Sequence, residues 1–156
     1  MVEQDFMIMA FEEAQKGIRN NIGGPFGAVV VIDGKVVGKG CNMVTSTNDP
    51  SAHAEIVAIR EACRNLGVFH LTGAEIYATC EPCPMCMSAI YWADIKKVYF
   101  CSDKFDAERI GFGDKFIYDE LSKPINKRNI KIEKVILSDG DELFKEWINK
   151  NDRIQY

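Results

Sequence analysis

Two short motifs hold the residue types that hydrolytic metal chemistry requires: Cys80-Glu81-Pro82-Cys83-Pro84-Met85-Cys86 and, upstream, His53-Ala54-Glu55. Thiols at i and i+3 close on one metal when they sit at a tight turn entering a helix, and Pro82 and Pro84 supply that turn. Pro84 is expected at the first helical position, where its missing N–H is no loss. Cys83 and Cys86 then lie at a helix mouth, where unpaired backbone N–H groups and the positive dipole end favour thiolate over thiol. His53 follows Asp49-Pro50-Ser51, a cap-and-proline start that predicts a helix from about Pro50 to Leu66 with His53 in its first turn. Two thiolates and one imidazole suit a single Zn2+, and three protein ligands leave the fourth position to water.

Glu55 turns a metal site into a reaction centre. Residues two apart do not share a helix face, so His53 and Glu55 serve one site only if the helix meets the metal end-on. The carboxylate then stands beside the activated water and can carry its proton to a leaving amine. His-x-Glu with Pro-Cys-x-x-Cys is the pattern of zinc nucleobase deaminases. By itself, Cys-x-x-Cys also supports a structural clip or a redox pair. In a purely structural zinc module, Glu55 would be a first-turn acid that only complements the helix dipole. Cys80, Cys83 and Cys86 also read as the start of an iron-sulfur set, but no fourth thiol follows at a matching offset. Cys80 is read as a packed strand end and His70 as a loop residue.

The elements that must position these residues follow from periodicity. Met7, Ala10, Phe11, Ala14 and Ile18 recur at helical spacing. Phe26 to Ile32 and Lys35 to Cys41 form a hairpin across Asp33-Gly34. Asn42 stands at a strand end, where its amide is open to a ligand or caps a turn. The 50–66 helix should bury Ile56, Ile59, Ala62, Cys63 and Leu66 and stop at Gly67. Ala74 to Cys80 makes a third strand, residues 83–93 a helix, and Lys97 to Cys101 a fourth strand. That strand-helix-strand unit requires a parallel crossover, and both helix N-termini open at one sheet edge. Residues 102–120, with Gly111-Phe112-Gly113-Asp114, read as an active-site loop. Ile130 to Leu137 alternates as a fifth strand. Ser138-Asp139-Gly140-Asp141 starts a last helix with Leu143, Phe144, Trp147 and Ile148 in one stripe.

The chain has 156 residues, 47% of them hydrophobic and 27% charged, which describes one ordinary globular domain. It carries no run long and apolar enough to span a membrane and no basic start typical of a signal peptide. Six cysteines without an export signal point to a reducing, cytoplasmic setting. A net charge of −4 and a sequence pI of about 5.2 argue against a phosphate-tracking nucleic-acid surface and favour a small-molecule substrate.

On His53-Ala54-Glu55 and Pro82-Cys83-Pro84-Met85-Cys86 the sequence resembles the cytidine deaminase-like zinc-dependent deaminase superfamily. Within that superfamily, Gly23-Gly24-Pro25-Phe26-Gly27-Ala28, Asn42, residues 45–50, Ala89-Ile90-Tyr91-Trp92-Ala93, Gly111-Phe112, Asp114, Phe116-Ile117-Tyr118 and Tyr156 make it similar to the bacterial guanine deaminases. The resemblance implies an α/β fold of three layers (α/β/α) on a five-stranded mixed sheet, spanning residues 1–156 as a single domain. It also implies conversion of guanine and water to xanthine and ammonia. His53, Cys83 and Cys86 would hold one zinc per subunit, with Glu55 as proton shuttle. Asn42 would bond the base, Phe26 and Trp92 would wall its faces, Asp114 would stand near the exocyclic amine, and Tyr156 would close the pocket. A homodimer that exchanges the C-terminal segment 138–156 is implied as well. On residue type alone, Phe26 and Trp92 read first as core, Asp114 equally as a turn residue, and Tyr156 as a solvated terminus. Deamination of adenosine in tRNA, or of a cytosine-type base, is the alternative within the superfamily.

Overall fold

A computed structural model describes residues 2–156. The chain resolves into two compact units, one ending at Phe116 and the other Ile117–Tyr156.

The first unit is built on a sheet of four strands, β1 (Gly27–Ile32), β2 (Lys35–Cys41), β3 (Glu75–Cys80) and β4 (Lys97–Ser102), in the order β2-β1-β3-β4. β1 pairs antiparallel with β2 and with β3, while β3 and β4 run parallel. The hairpin turn falls on Asp33-Gly34, both with positive φ (49° and 71°), the backbone that this dipeptide tolerates best. Successive side chains of a strand point to opposite faces, and the cores follow that period. Ala28, Val30, Ile76 and Ala78 face one cluster together with Ala54, Ala58, Ile59, Ala62 and Ile90. Val29, Val31 and Tyr77 face the other, against Phe6 and Ala10. Helix α1 (Glu3–Arg19) therefore covers one face of the sheet, and α3 (Ala54–Leu66) and α4 (Pro84–Trp92) cover the other. This is the expected three-layer α/β/α architecture.

A short helix α2 (Val44–Thr47) follows β2, and α5 (Lys104–Arg109), α6 (Lys115–Ser122), a 3-10 turn (Ile125–Lys127) and α7 (Glu142–Asn149) complete the elements. Residues 102–120, expected as a loop, thus hold α5 and most of α6, with Gly111 to Asp114 as the link between them. The fifth strand expected over Ile130 to Leu137 is absent. Those residues pair with no strand among the described residues, and Val135 and Ile136 are 79% and 85% exposed. Alternation gives a segment two faces, but a strand exists only where a neighbour offers N–H and C=O groups.

Helix α3 begins at Ala54 and not near Pro50. Asp49 accepts hydrogen bonds from Ser51 N (2.8 Å) and Ser51 Oγ (2.6 Å), closing a turn, and His53 becomes the extended N-cap residue. The helix stops at Gly67, which is left-handed at φ 68°. Leu66 is 45% exposed and Phe11 and Ile18 of α1 are 38% and 49% exposed, so the buried stripes are narrower than periodicity alone predicts. Small residues replace them: Ala54, Ala58 and Ala62 are fully buried because α3 lies directly on β2. A Cβ on Gly40 would stand 2.4 Å from Ala54 O and 2.6 Å from Ala58 N, so this glycine sets how closely the start of α3 approaches the sheet.

Candidate metal and catalytic centre

Both motif helices bring their N-terminal ends to one corner. His53 caps α3, Cys83 caps α4, and Pro84 occupies the first helical position. Because His53 lies just outside its helix, it and Glu55 two residues on reach the same place, as the end-on geometry requires. His53 Nδ1 stands 3.6 Å from Cys83 Sγ and 3.5 Å from Cys86 Sγ, and the two sulfurs are 3.6 Å apart. The three form a potential metal-binding group. Tetrahedral zinc with metal–sulfur bonds of about 2.3 Å and metal–nitrogen bonds of about 2.0–2.1 Å demands edges of about 3.8 Å (S to S) and about 3.6 Å (S to N). The donor triangle fits this within a few tenths of an ångström.

The electrostatics agree with a cation site. Cys83 is drawn down to about 4, first by its hydrogen bond with Cys86 and then by His53, against the opposing effect of burial. Cys86 is pushed far up by sharing a proton with Cys83 and by burial. A dication at the centre favours the thiolate of both. His53 is raised, chiefly by its hydrogen bond with Cys83. Glu55 is 7% exposed, and burial raises its pKa more than its own backbone N–H and the nearby His53 lower it. A buried carboxylic group whose pKa is raised beside a metal site is suited to moving protons.

Cys80 keeps out of the triangle. It ends β3, its sulfur directed at Asp103 O (3.5 Å), and burial pushes its thiol up to about 11. It is a strand-end residue, as expected. His70 is exposed in the loop after α3.

Asn42 directly follows β2 and is 7% exposed. Its Oδ1 accepts from Gly24 N (3.2 Å) and Val44 N (3.1 Å), which orients the amide and leaves Nδ2 as its remaining donor. The glycine upstream makes this possible, since a Cβ on Gly23 would fall 2.1 Å from Asn42 O. Phe26 is half-buried and meets Phe112 edge-on at 5.1 Å. Asp114 Oδ1 is buried without a hydrogen-bond partner among the described residues. Burial, then the charge of Cys83, raises the Asp114 carboxyl, so this carboxyl lies within the field of the metal corner. Trp92 is the last residue of α4, nine positions beyond Cys83, which puts it about 13 Å along the helix axis from the metal corner of its own chain. It is 66% exposed. Tyr156 ends the second unit, 71% exposed.

Two residues of this corner had no role assigned from the sequence. Phe112 covers Gly24 and Phe26: a Cβ on Gly24 would be 3.5 Å from its ring. The signal was its placement between two glycines, of which Gly111 has φ 91°. Glu81 accepts from Lys104 N at 3.1 Å and pairs with Lys104 Nζ at 3.5 Å. Inside a motif dominated by cysteine and proline, its residue type carries no signal of its own.

Residues 1–102 match the cytidine and deoxycytidylate deaminase zinc-binding region. Over all 156 residues, and all of the relative, the chain is 44% identical to guanine deaminase of Bacillus subtilis. The solved structure of guanine deaminase from that organism superimposes with a TM-score of 0.97, at 100% coverage of this chain and 99% of the other. A tRNA-specific adenosine deaminase of Aquifex aeolicus is 35% identical over 150 residues, 96% of each chain. A solved tRNA:A34 deaminase aligns with a TM-score of 0.64, 37% identity, and coverage of 78% of this chain and 89% of that one. The chain belongs to the cytidine and deoxycytidylate deaminase family of zinc-dependent enzymes.

Proposed function

We propose that the protein deaminates free guanine, yielding xanthine and ammonia. The observation that carries this reading is the likeness to guanine deaminase over the whole chain, including residues 117–156, at 44% identity. The metal corner supports hydrolysis, and the full-length match supports the base.

When bound to His53, Cys83 and Cys86, zinc supplies Lewis acidity that brings the pKa of water toward neutrality. The protein's residues do the rest. Glu55 takes one proton from the water whose oxygen bonds to C2 of guanine, passes it to ring nitrogen N3, and carries the second proton to the amine as the C2–N bond breaks. Its burial raises its pKa, which strengthens its hold on a proton in transit. Asn42 Nδ2 offers donors to acceptors on the base edge, because backbone N–H groups already occupy its oxygen. Asp114 Oδ1, an acceptor lacking a hydrogen-bond partner among the described residues, receives the exocyclic amine. Phe26 covers one face of the ring, with the Phe112 edge behind it.

The working enzyme in this reading is a homodimer whose C-terminal segment 138–156 crosses to the partner, delivering Tyr156 to the pocket there. Trp92 also serves across the subunit boundary, since its own metal corner lies a helix length away. Among the described residues no helix is long and apolar enough to cross a membrane, in keeping with a cytoplasmic enzyme acting on a small molecule.

A second reading, adenosine deamination in tRNA, draws on the 35% identity to the Aquifex aeolicus protein. The net charge of −4 opposes it. Ammonia release from guanine, adenine, cytosine, their nucleosides and adenosine in an RNA stem-loop separates the two. Guanine should react fastest; reaction of the stem-loop with none of guanine overturns the proposal.

A further inference from the structure

We infer that Glu81 is a positioning residue that ties the metal-binding turn to the segment carrying Phe112 and Asp114. The inference rests on the guanine reading for its assay. Glu81 stands two residues before Cys83 and one after the end of β3. Its backbone N–H donates to Ser102 O at 2.8 Å, so the metal-binding turn begins by extending the β3–β4 ladder. Its carboxylate accepts from Lys104 N at 3.1 Å and pairs with Lys104 Nζ at 3.5 Å, with both side chains about 70% shielded (26% and 31% exposed). One residue thus grips both the end of β4 and the first residue of α5.

Helix α5 has only six residues and is too short to hold its own direction. Asp103 caps it, accepting from Phe105 N and Asp106 N at 2.9 Å, but Asp103 belongs to the same segment and cannot locate it in space. Two contacts link it to the metal corner, the long one from Cys80 Sγ to Asp103 O (3.5 Å) and the shorter one from Lys104 N to the Glu81 carboxylate (3.1 Å). At the far end of α5, Phe112 N donates to Ala107 O at 2.9 Å and Gly111 N to Glu108 O at 3.0 Å, so the turn bearing Phe112 and Asp114 moves with the helix. A shift at Lys104 is therefore delivered to an aromatic wall and to a carboxylate whose buried oxygen has no hydrogen-bond partner among the described residues. The Lys104 amide needs an acceptor of the right reach, and the ion pair adds less because it is part-exposed.

The test uses Glu81→Ala, Glu81→Gln and Asp114→Asn in the zinc-loaded enzyme, alone and combined, with guanine turnover, zinc content and backbone amide exchange as readouts. Glu81→Ala should keep full zinc content, speed exchange over residues 104–112 and lower kcat roughly tenfold, the low end for loss of a charge-assisted hydrogen bond. Glu81→Gln, which keeps an acceptor for Lys104 N, should recover most of that loss. In the Asp114→Asn background the Glu81→Ala loss should largely vanish, because the two act as one unit. Loss of zinc, a fully additive double variant, or a Glu81→Gln as slow as the alanine variant would each overturn the inference. If Glu81→Ala does not fold, Glu81→Gln decides alone: near-normal kcat and exchange support the hydrogen-bond role, and a tenfold loss refutes it. A wild-type enzyme inert toward guanine would instead refute the functional reading, while the exchange result would still judge the tether.

Discussion

The metal corner and the C-terminal unit are opposites in how far one chain completes them. At the corner, His53, Cys83 and Cys86 sit within 3.6 Å of one another, Glu55 is buried beside them, and the helices beneath rest on a core of fully covered alanine, valine and isoleucine. In residues 117–156 no residue is buried, and Leu143, Phe144 and Ile148 are 71%, 70% and 63% exposed. A stretch of that size has too little interior to hold itself together, and solvated proteins rarely leave such stripes bare. The first region holds its metal donors and its proton carrier in a single copy; the second, in the reading proposed above, is covered by a neighbour that it serves in turn. Four experiments test that contrast.

The largest effect belongs to Cys83→Ala. With one of three donors gone, zinc content should fall below a tenth of one ion per chain and turnover should be lost. The melting temperature should drop by about 10 °C or more, because metal binding is linked to folding. Metal analysis and calorimetry check this, and full zinc content in the variant would mean that the corner is not the site. Next is Glu55→Gln, which should retain zinc while kcat falls by about 10³–10⁴-fold, the range for a lost general acid-base group. A near-normal rate would remove Glu55 as the proton carrier.

Complementation comes third and bears on the contrast directly. Chains with Glu55→Gln and chains lacking Tyr156 should each be nearly inactive. Mixed and reassorted, half the dimers are hybrids with one complete site of two, so about a quarter of wild-type activity should return. No recovery, with hybrids shown to form, would place the tail in its own subunit's pocket.

What could be read before the fold was known divides along the same line. Proline and glycine punctuation was legible because it is local: Pro84 begins α4, Asp33-Gly34 turns the hairpin, and Gly67 ends α3. The donor triangle followed from two such local starts meeting at one sheet edge. The start of α3 was misplaced because Asp49 uses its carboxylate on Ser51, a turn that competes with helix and moves His53 outside it. The strand expected at Ile130 to Leu137 failed for a different reason, since its alternation is real but no described strand pairs with it. The pairings of Glu81 with Lys104 and of Phe112 with Phe26 were not legible, because the partners are 23 and 86 residues apart in sequence and nothing in residue type announces them.

The smallest change in folding energy should come from Phe144→Gln. The side chain is 70% exposed in the single chain, so its loss should alter the unfolding free energy of an isolated subunit by no more than about 0.5 kcal/mol. If the stripe of α7 is covered by a second copy, the same substitution removes an apolar anchor from an interface, where such a loss costs about 1–2 kcal/mol and raises the dissociation constant roughly 5- to 30-fold. Sedimentation at micromolar concentration distinguishes the outcomes, because only the second makes the dimer dissociate on dilution while the subunit stays folded. An unchanged dimer would move the interface away from this helix, and with it the explanation for why the protein leaves Leu143, Phe144 and Ile148 without cover.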